Sequence, residues 1–77
     1  MMTGKVIRLD NKKAFGFIRS DSDGSDYFFH KEDLYGFWED LIQDFKNNEL
    51  IPVTFIPGNT PKGLRASDVK RTDYPNV

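Results

Sequence analysis

Two short stretches hold most of the side chains able to do recognition chemistry: Lys13-Ala14-Phe15-Gly16-Phe17-Ile18 and Tyr27-Phe28-Phe29-His30. In an extended chain alternate residues share a face, so Phe15 and Phe17 lie on one side of the first stretch, and Phe28 and His30 on one side of the second. If Ile18, Tyr27 and Phe29 enter a core, Phe15, Phe17, Phe28 and His30 stand together on an outer face. A contiguous patch of exposed rings needs a cover. Nucleic-acid bases suit it, because every base has a π face and each stack contributes about 1–3 kcal/mol. Gly16 leaves a smooth spot between the two rings. The competing use of these rings is a second core beneath a helix farther along the chain.

Reaction chemistry is poorly served. His30 is the single histidine, there is no cysteine, and no nucleophile motif surrounds the nearby serines. The glycines at 58 and 63 do not form a phosphate-binding loop followed by a helix. Asp21-Ser22-Asp23-Gly24-Ser25-Asp26 superficially resembles a calcium loop, but such a loop needs its glycine at the sixth position and Gly24 is fourth from Asp21. The sequence therefore predicts no enzyme, no cofactor and no metal, with His30 serving as a stacking ring.

The rings need rigid neighbours to hold them. Lys5-Val6-Ile7-Arg8-Leu9 is strand-like, and the polar turn Asp10-Asn11-Lys12-Lys13 joins it to a second strand over 14–19. A turn over 21–26 leads to a third strand over 27–30. Leu34, Trp38, Leu41, Ile42 and Phe45 then recur at three- and four-residue spacing, the period of an amphipathic helix, with Asn47-Asn48 as its stop. A fourth strand is expected over 51–56, where Pro52 restricts it to an edge, a start or a bulge. A loop rich in turn residues follows over 57–63, then a fifth strand over about 64–70. Five short strands in 77 residues predict an all-β fold: a small five-stranded antiparallel barrel of the oligonucleotide-binding (OB) type, with a short helical insertion at about 35–48 between strands 3 and 4. Residues 1–71 are expected to form one domain and 72–77 a frayed tail.

The formal charge of −1 would argue against a polyanionic partner, yet it is the sum of unlike segments. Residues 1–31 carry +2, residues 32–59 carry −5 and residues 60–77 carry +2. The acidic middle is either a solvated helix or a surface for a basic protein partner. The chain has no apolar run of membrane-spanning length and no signal-peptide pattern after Met1, and with no cysteine it suits a reducing compartment. A cytoplasmic protein is expected.

Taken together, the residues resemble the cold-shock domain family. Lys13-Ala14-Phe15-Gly16-Phe17-Ile18 looks like that family's first ribonucleoprotein motif and Tyr27-Phe28-Phe29-His30 like its second. Gly4-Lys5-Val6 and Pro61-Lys62-Gly63-Leu64-Arg65-Ala66-Ser67-Asp68-Val69 match the family's two ends, so the likeness covers about residues 3–71 apart from the insertion. RNA-recognition-motif domains carry a related hexapeptide, but there a strand and a helix precede it, and here only twelve residues do. The resemblance implies a barrel that holds single-stranded RNA or DNA by base stacking, as an RNA chaperone or antiterminator. The matching stacking positions are Phe15, Phe17, Phe28 and His30, with Lys5 and Lys13 beside the phosphates and Lys62 in the closing segment. Arg8 stands where the family usually has tryptophan, and Lys31 replaces the aromatic that commonly follows the histidine. A guanidinium still stacks on a base and an ammonium still meets a phosphate, so weaker and more salt-dependent binding is expected. Ala14 replaces the usual glycine, a small change unless the backbone there needs a positive φ. Phe37 or Trp38 replaces a further aromatic near the binding face, and spacing does not decide between them; Trp38 is counted with the candidate site. The alternative function is a degenerate barrel that docks a protein through its acidic insertion; rings buried beneath Trp38 would favour it, and open rings flanked by Lys5, Lys13 and Lys31 favour nucleic acid.

Overall fold

Five extended segments form in the computed structural model, which describes residues 1–73: β1 (Met2–Asp10), β2 (Phe15–Ser20), β3 (Asp26–His30), β4 (Pro52–Thr60) and β5 (Gly63–Arg71). A 3₁₀ turn (Lys31–Asp33) and one helix, α1 (Trp38–Lys46), separate β3 from β4. The strands close into a barrel in the order β1-β2-β3-β5-β4, the all-β architecture with a helical insertion that the sequence predicts. The pairs β1/β2, β1/β4, β2/β3 and β4/β5 are antiparallel, and the seam between β3 and β5 is parallel, through Phe28 and Arg65. The parallel seam follows from counting, because an odd number of strands cannot alternate in direction all the way round a ring.

The core is filled by the inward residues of every strand: Val6, Ile18, Tyr27, Phe29, Val53, Phe55, Ala66 and Val69 are all buried. Since β1, β3 and β5 run in one direction, their C-terminal ends share one mouth of the barrel, and α1 closes that mouth. Its apolar residues Trp38, Leu41 and Ile42 point inward and are buried, while Glu39 and Asp40 stay exposed in the first turn, at the positive end of the helix dipole. The Trp38 ring packs edge-on against Phe29, 6.2 Å between centroids, and its Nε1 donates to Asn11 Oδ1 at 2.9 Å, just beyond β1. At the end of β5, the Arg71 guanidinium meets Asp44 of α1 at 2.7 Å. Arg71 also holds Asp73 at 2.7 Å, and the Thr72 N–H donates to the Pro52 carbonyl at 3.0 Å. The rest of the expected tail, 74–77, lies outside the described residues.

The segment 57–63, expected as a loop, is mostly strand. β4 and β5 stay in register down to Thr60 opposite Gly63, leaving Pro61 and Lys62 as the turn. Pro57 is tolerated because β1 pairs with β4 only from Lys5/Pro52 to Met2/Phe55, so beyond Phe55 one edge of β4 has no ladder to break.

Two backbone positions carry opposite demands. Ala14, at the end of the β1–β2 turn, has φ +58°, so the position calls for the glycine that this chain lacks. Gly16, by contrast, sits where a Cβ would come within 2.6 Å of the Arg8 carbonyl oxygen and 2.9 Å of Phe29 Cε1. Chemical denaturation should accordingly show Ala14→Gly stabilised by about 0.5–1 kcal/mol, relief of strain outweighing the added chain entropy. Gly16→Ala should lose about 1–3 kcal/mol, since a carbonyl in a paired strand cannot step aside. A destabilised Ala14→Gly variant would mean that the left-handed turn is not strained.

Candidate nucleic-acid interface

Cross-strand register assembles the site. On the outward face Arg8 lies opposite Phe17, Phe17 opposite Phe28, and Phe28 beside Arg65, giving one row across four strands. A second row runs Asp10, Phe15, His30, and a third Lys5, Arg19, Asp26. Arg8 reaches this face through a bulge. Val6 pairs with Ile18 and Arg8 with Phe17, so Ile7 is the extra residue; in a regular ladder Ile7 would face Phe17 and Arg8 would share the inward phase of Val6.

Phe15, Phe17, Phe28 and His30 are half-buried, and the three phenyl rings pack on one another. Phe15 and Phe28 are stacked with centroids 5.5 Å apart and planes inclined by 29°. Phe17 meets them edge-on, at 6.0 Å from Phe15 and 5.9 Å from Phe28. Such contacts hold the rings in place with little conformational freedom left to lose when a ligand arrives. Beside them opens a groove of about 550 Å³ whose floor is Phe17, Phe28 and His30 and whose far wall runs from Thr60 through Lys62 to Arg65. No residue of α1 lines it.

The 3₁₀ turn fixes the edge of the groove. His30 Nδ1 accepts from the Glu32 N–H at 3.2 Å, and the His30 N–H donates to Asp33 Oδ2 at 2.9 Å, a reciprocal cap. The same Asp33 oxygen accepts from Arg65 Nη2 at 2.9 Å, and the Arg65 guanidinium carbon lies 5.7 Å from the Phe28 centroid. Asp33 thus ties the Arg65 guanidinium, the neighbour of the Phe28 ring, to the backbone of His30.

Cations surround the rings unevenly. Arg8, Lys13, Lys31 and Lys62 are exposed and make no ion pair among the described residues. Lys5 is held by Asp21 at 2.9 Å, and Arg19 by Asp26 at 2.9 Å. Trp38 is a correction to the candidate site: it is 4% exposed and lies in the barrel mouth, because its indole is the helix residue that reaches Phe29. Phe37, one residue earlier and just ahead of α1, is 73% exposed. Sequence reasoning also passed over Arg65 and Asp33. Alternation along the fifth strand would have put Arg65 opposite in phase to the buried Ala66, but its neighbour across the seam is not a local property.

The fold, the row of rings and the groove now stand beside two comparisons. The model of the 'Cold-shock' DNA-binding domain matches residues 2–72. The chain belongs to the cold-shock domain family. A cold shock-like protein CspA from Shewanella violacea is 37% identical over 68 residues, which cover 87% of this chain and 89% of that protein. Nucleic-acid binding is the activity that this membership supports.

Within this cold-shock domain the Lys5–Asp21 pair has a readable consequence. The Lys5 ammonium, as hydrogen-bond donor, holds the Asp21 carboxyl below its ordinary range. The folded value lies under the unfolded one, so the pair contributes stability above about pH 4 and loses it as pH falls through the lowered value. Asp21→Asn releases Lys5 at neutral pH. Affinity for a single-stranded oligonucleotide should rise by about two- to threefold at low salt and converge with that of the parent at high salt; an unchanged low-salt affinity would place Lys5 away from the phosphate path.

Proposed function

We propose that residues 1–71 act as one module that binds single-stranded RNA or DNA by stacking bases on Phe15, Phe17, Phe28 and His30. Arg8 extends the stacking row, while Lys13, Lys31 and Lys62 meet phosphates. The observation that carries this reading is the ring cluster that α1 leaves uncovered, flanked by cations that make no ion pair among the described residues and opening into the groove. Rings covered by the insertion would favour its competitor, a protein-docking barrel, whereas Trp38 turns into the barrel mouth and packs on Phe29. Stacking is tolerant of sequence, so the module would hold strands open without demanding a fixed site, as an RNA chaperone or antiterminator in the cytoplasm does. No helix of the described residues is long and apolar enough to cross a membrane.

Titration of a fluorescently labelled, pyrimidine-rich heptamer at about 50 and 200 mM salt tests the proposal. Phe15→Ala or Phe28→Ala should weaken binding more than about tenfold, one lost stack each, with the circular dichroism of the parent. Equal affinity in parent and variants would rule stacking out.

Arg8→Trp restores the aromatic usual in the family. It should tighten binding by about three- to tenfold while leaving the salt slope equal or slightly lower, because a positive charge beside the strand is lost and the phosphate contacts of the lysines are kept. A steeper slope or weaker binding would show that Arg8 does not share the stacking row with Phe17.

A further inference from the structure

We infer that Arg65, oriented by Asp33, makes this domain select guanine in single strands. The inference rests on the stacking reading above and adds a base preference to it. A base stacked on the groove floor lies parallel to a ring, so its edges point along the floor toward the walls. Arg65 is part of that wall and shares the groove with Phe17, Phe28 and His30. Its guanidinium is fixed twice: Nη2 donates to Asp33 Oδ2 at 2.9 Å, and the guanidinium carbon sits 5.7 Å from the Phe28 centroid. The other N–H groups, on Nε and Nη1 and one on Nη2, have no acceptor among the described residues. Asp33 in turn cannot drift, because the same oxygen takes the His30 backbone N–H in the cap.

A guanidinium held in one plane is a two-donor fork, and its complement is a pair of adjacent acceptors on a base edge. Guanine offers O6 and N7 side by side. Adenine sets an N6 donor next to N7, and thymine offers O4 beside a methyl group, so neither accepts the fork with both prongs. Lys62, in the same wall, is a flexible point charge with no such geometry and serves the phosphates. Arg8, at the opposite end of the row, is exposed and unpaired, so it lacks the fixed plane that edge recognition needs.

The test uses the full chain and a labelled heptamer of thymidines whose central base is dT, dG, 7-deaza-dG, dA or dC. The parent should bind the dG strand about tenfold more tightly than the dT strand, and replacing N7 by carbon should remove most of that gain. Arg65→Lys keeps the charge and loses the fork; the dG to dT ratio should fall to about one while the salt slope stays as in the parent. Arg65→Gln should lower the ratio as well, and Asp33→Asn should lower it in part, since the amide oxygen still accepts from Arg65 without its charge. Asp33 is a positioning residue, and the partial loss of selectivity is what separates that role from a purely structural one. Saturable binding of all five strands with equal affinity would overturn the inference and leave the stacking reading standing. So would an equal loss across all strands in Arg65→Gln, which would mark Arg65 as a phosphate contact, or an equal gain for dC, which also exposes two acceptors when unpaired. Failure of the parent to bind any strand at low salt would overturn the stacking reading together with the inference.

Discussion

A ring of five strands must contain one pair that runs in the same direction, and here that pair is β3 and β5. The functional face depends on this closure. Through it the second aromatic stretch, which follows the first by a dozen residues, meets a strand more than thirty residues farther along the chain. Phe28 gains Arg65 as its neighbour, Asp33 gains a cation to hold, and the turn at Pro61 and Lys62 becomes a wall facing the rings instead of a loop at the far side of the barrel. The same parallelism gathers the ends of β1, β3 and β5 at one mouth, where α1 can seal the core without touching the aromatic face.

The two faces of the sheet carry almost equal numbers of rings, and the barrel separates them by phase alone. Tyr27 and Phe29 go in; Phe15, Phe17 and Phe28 stay out. Rings on the outside are tolerable because they bury one another in part, through the stacked and edge-on contacts of the cluster, and because Gly16 behind them lets Phe29 and Leu9 fill the core side tightly. The bulge at Ile7 is the counterpart on β1: it puts Arg8, which regular pairing would turn inward with Val6, in the outward phase and places a cation at the end of the aromatic row.

Much of the architecture was legible in the residues. Period two in the aromatic stretches gave the correct inward and outward sets, and period three to four located α1, whose span Trp38–Lys46 is shorter than the expected 35–48 and leaves Leu34 outside the helix, because both patterns reflect local backbone geometry. The strand over 57–60 was not legible, since proline, glycine and asparagine disfavour strands in general and are accommodated here only because one edge of β4 has no partner. The choice between Phe37 and Trp38 was equally closed to sequence reasoning. Both are large aromatics at adjacent positions, and the direction of the helix relative to Phe29 and Asn11 decides which one is buried.

By itself the sequence determined which rings stand on the outer face, their sharing of that face, the family and the charge pattern along the chain. These follow from residue type and from spacings of two to four positions, which the backbone enforces wherever the segment lies. The tertiary structure alone decided that α1 leaves the rings uncovered, that Ala14 occupies a left-handed turn, that Lys5 is engaged by Asp21, and that Arg65 joins the groove. The turn at Ala14 is set by the Asp10–Phe15 pairing that closes the first hairpin, and the others depend on pairings between segments farther apart in the chain, where closing the ring, and no local preference, fixes which side chains meet.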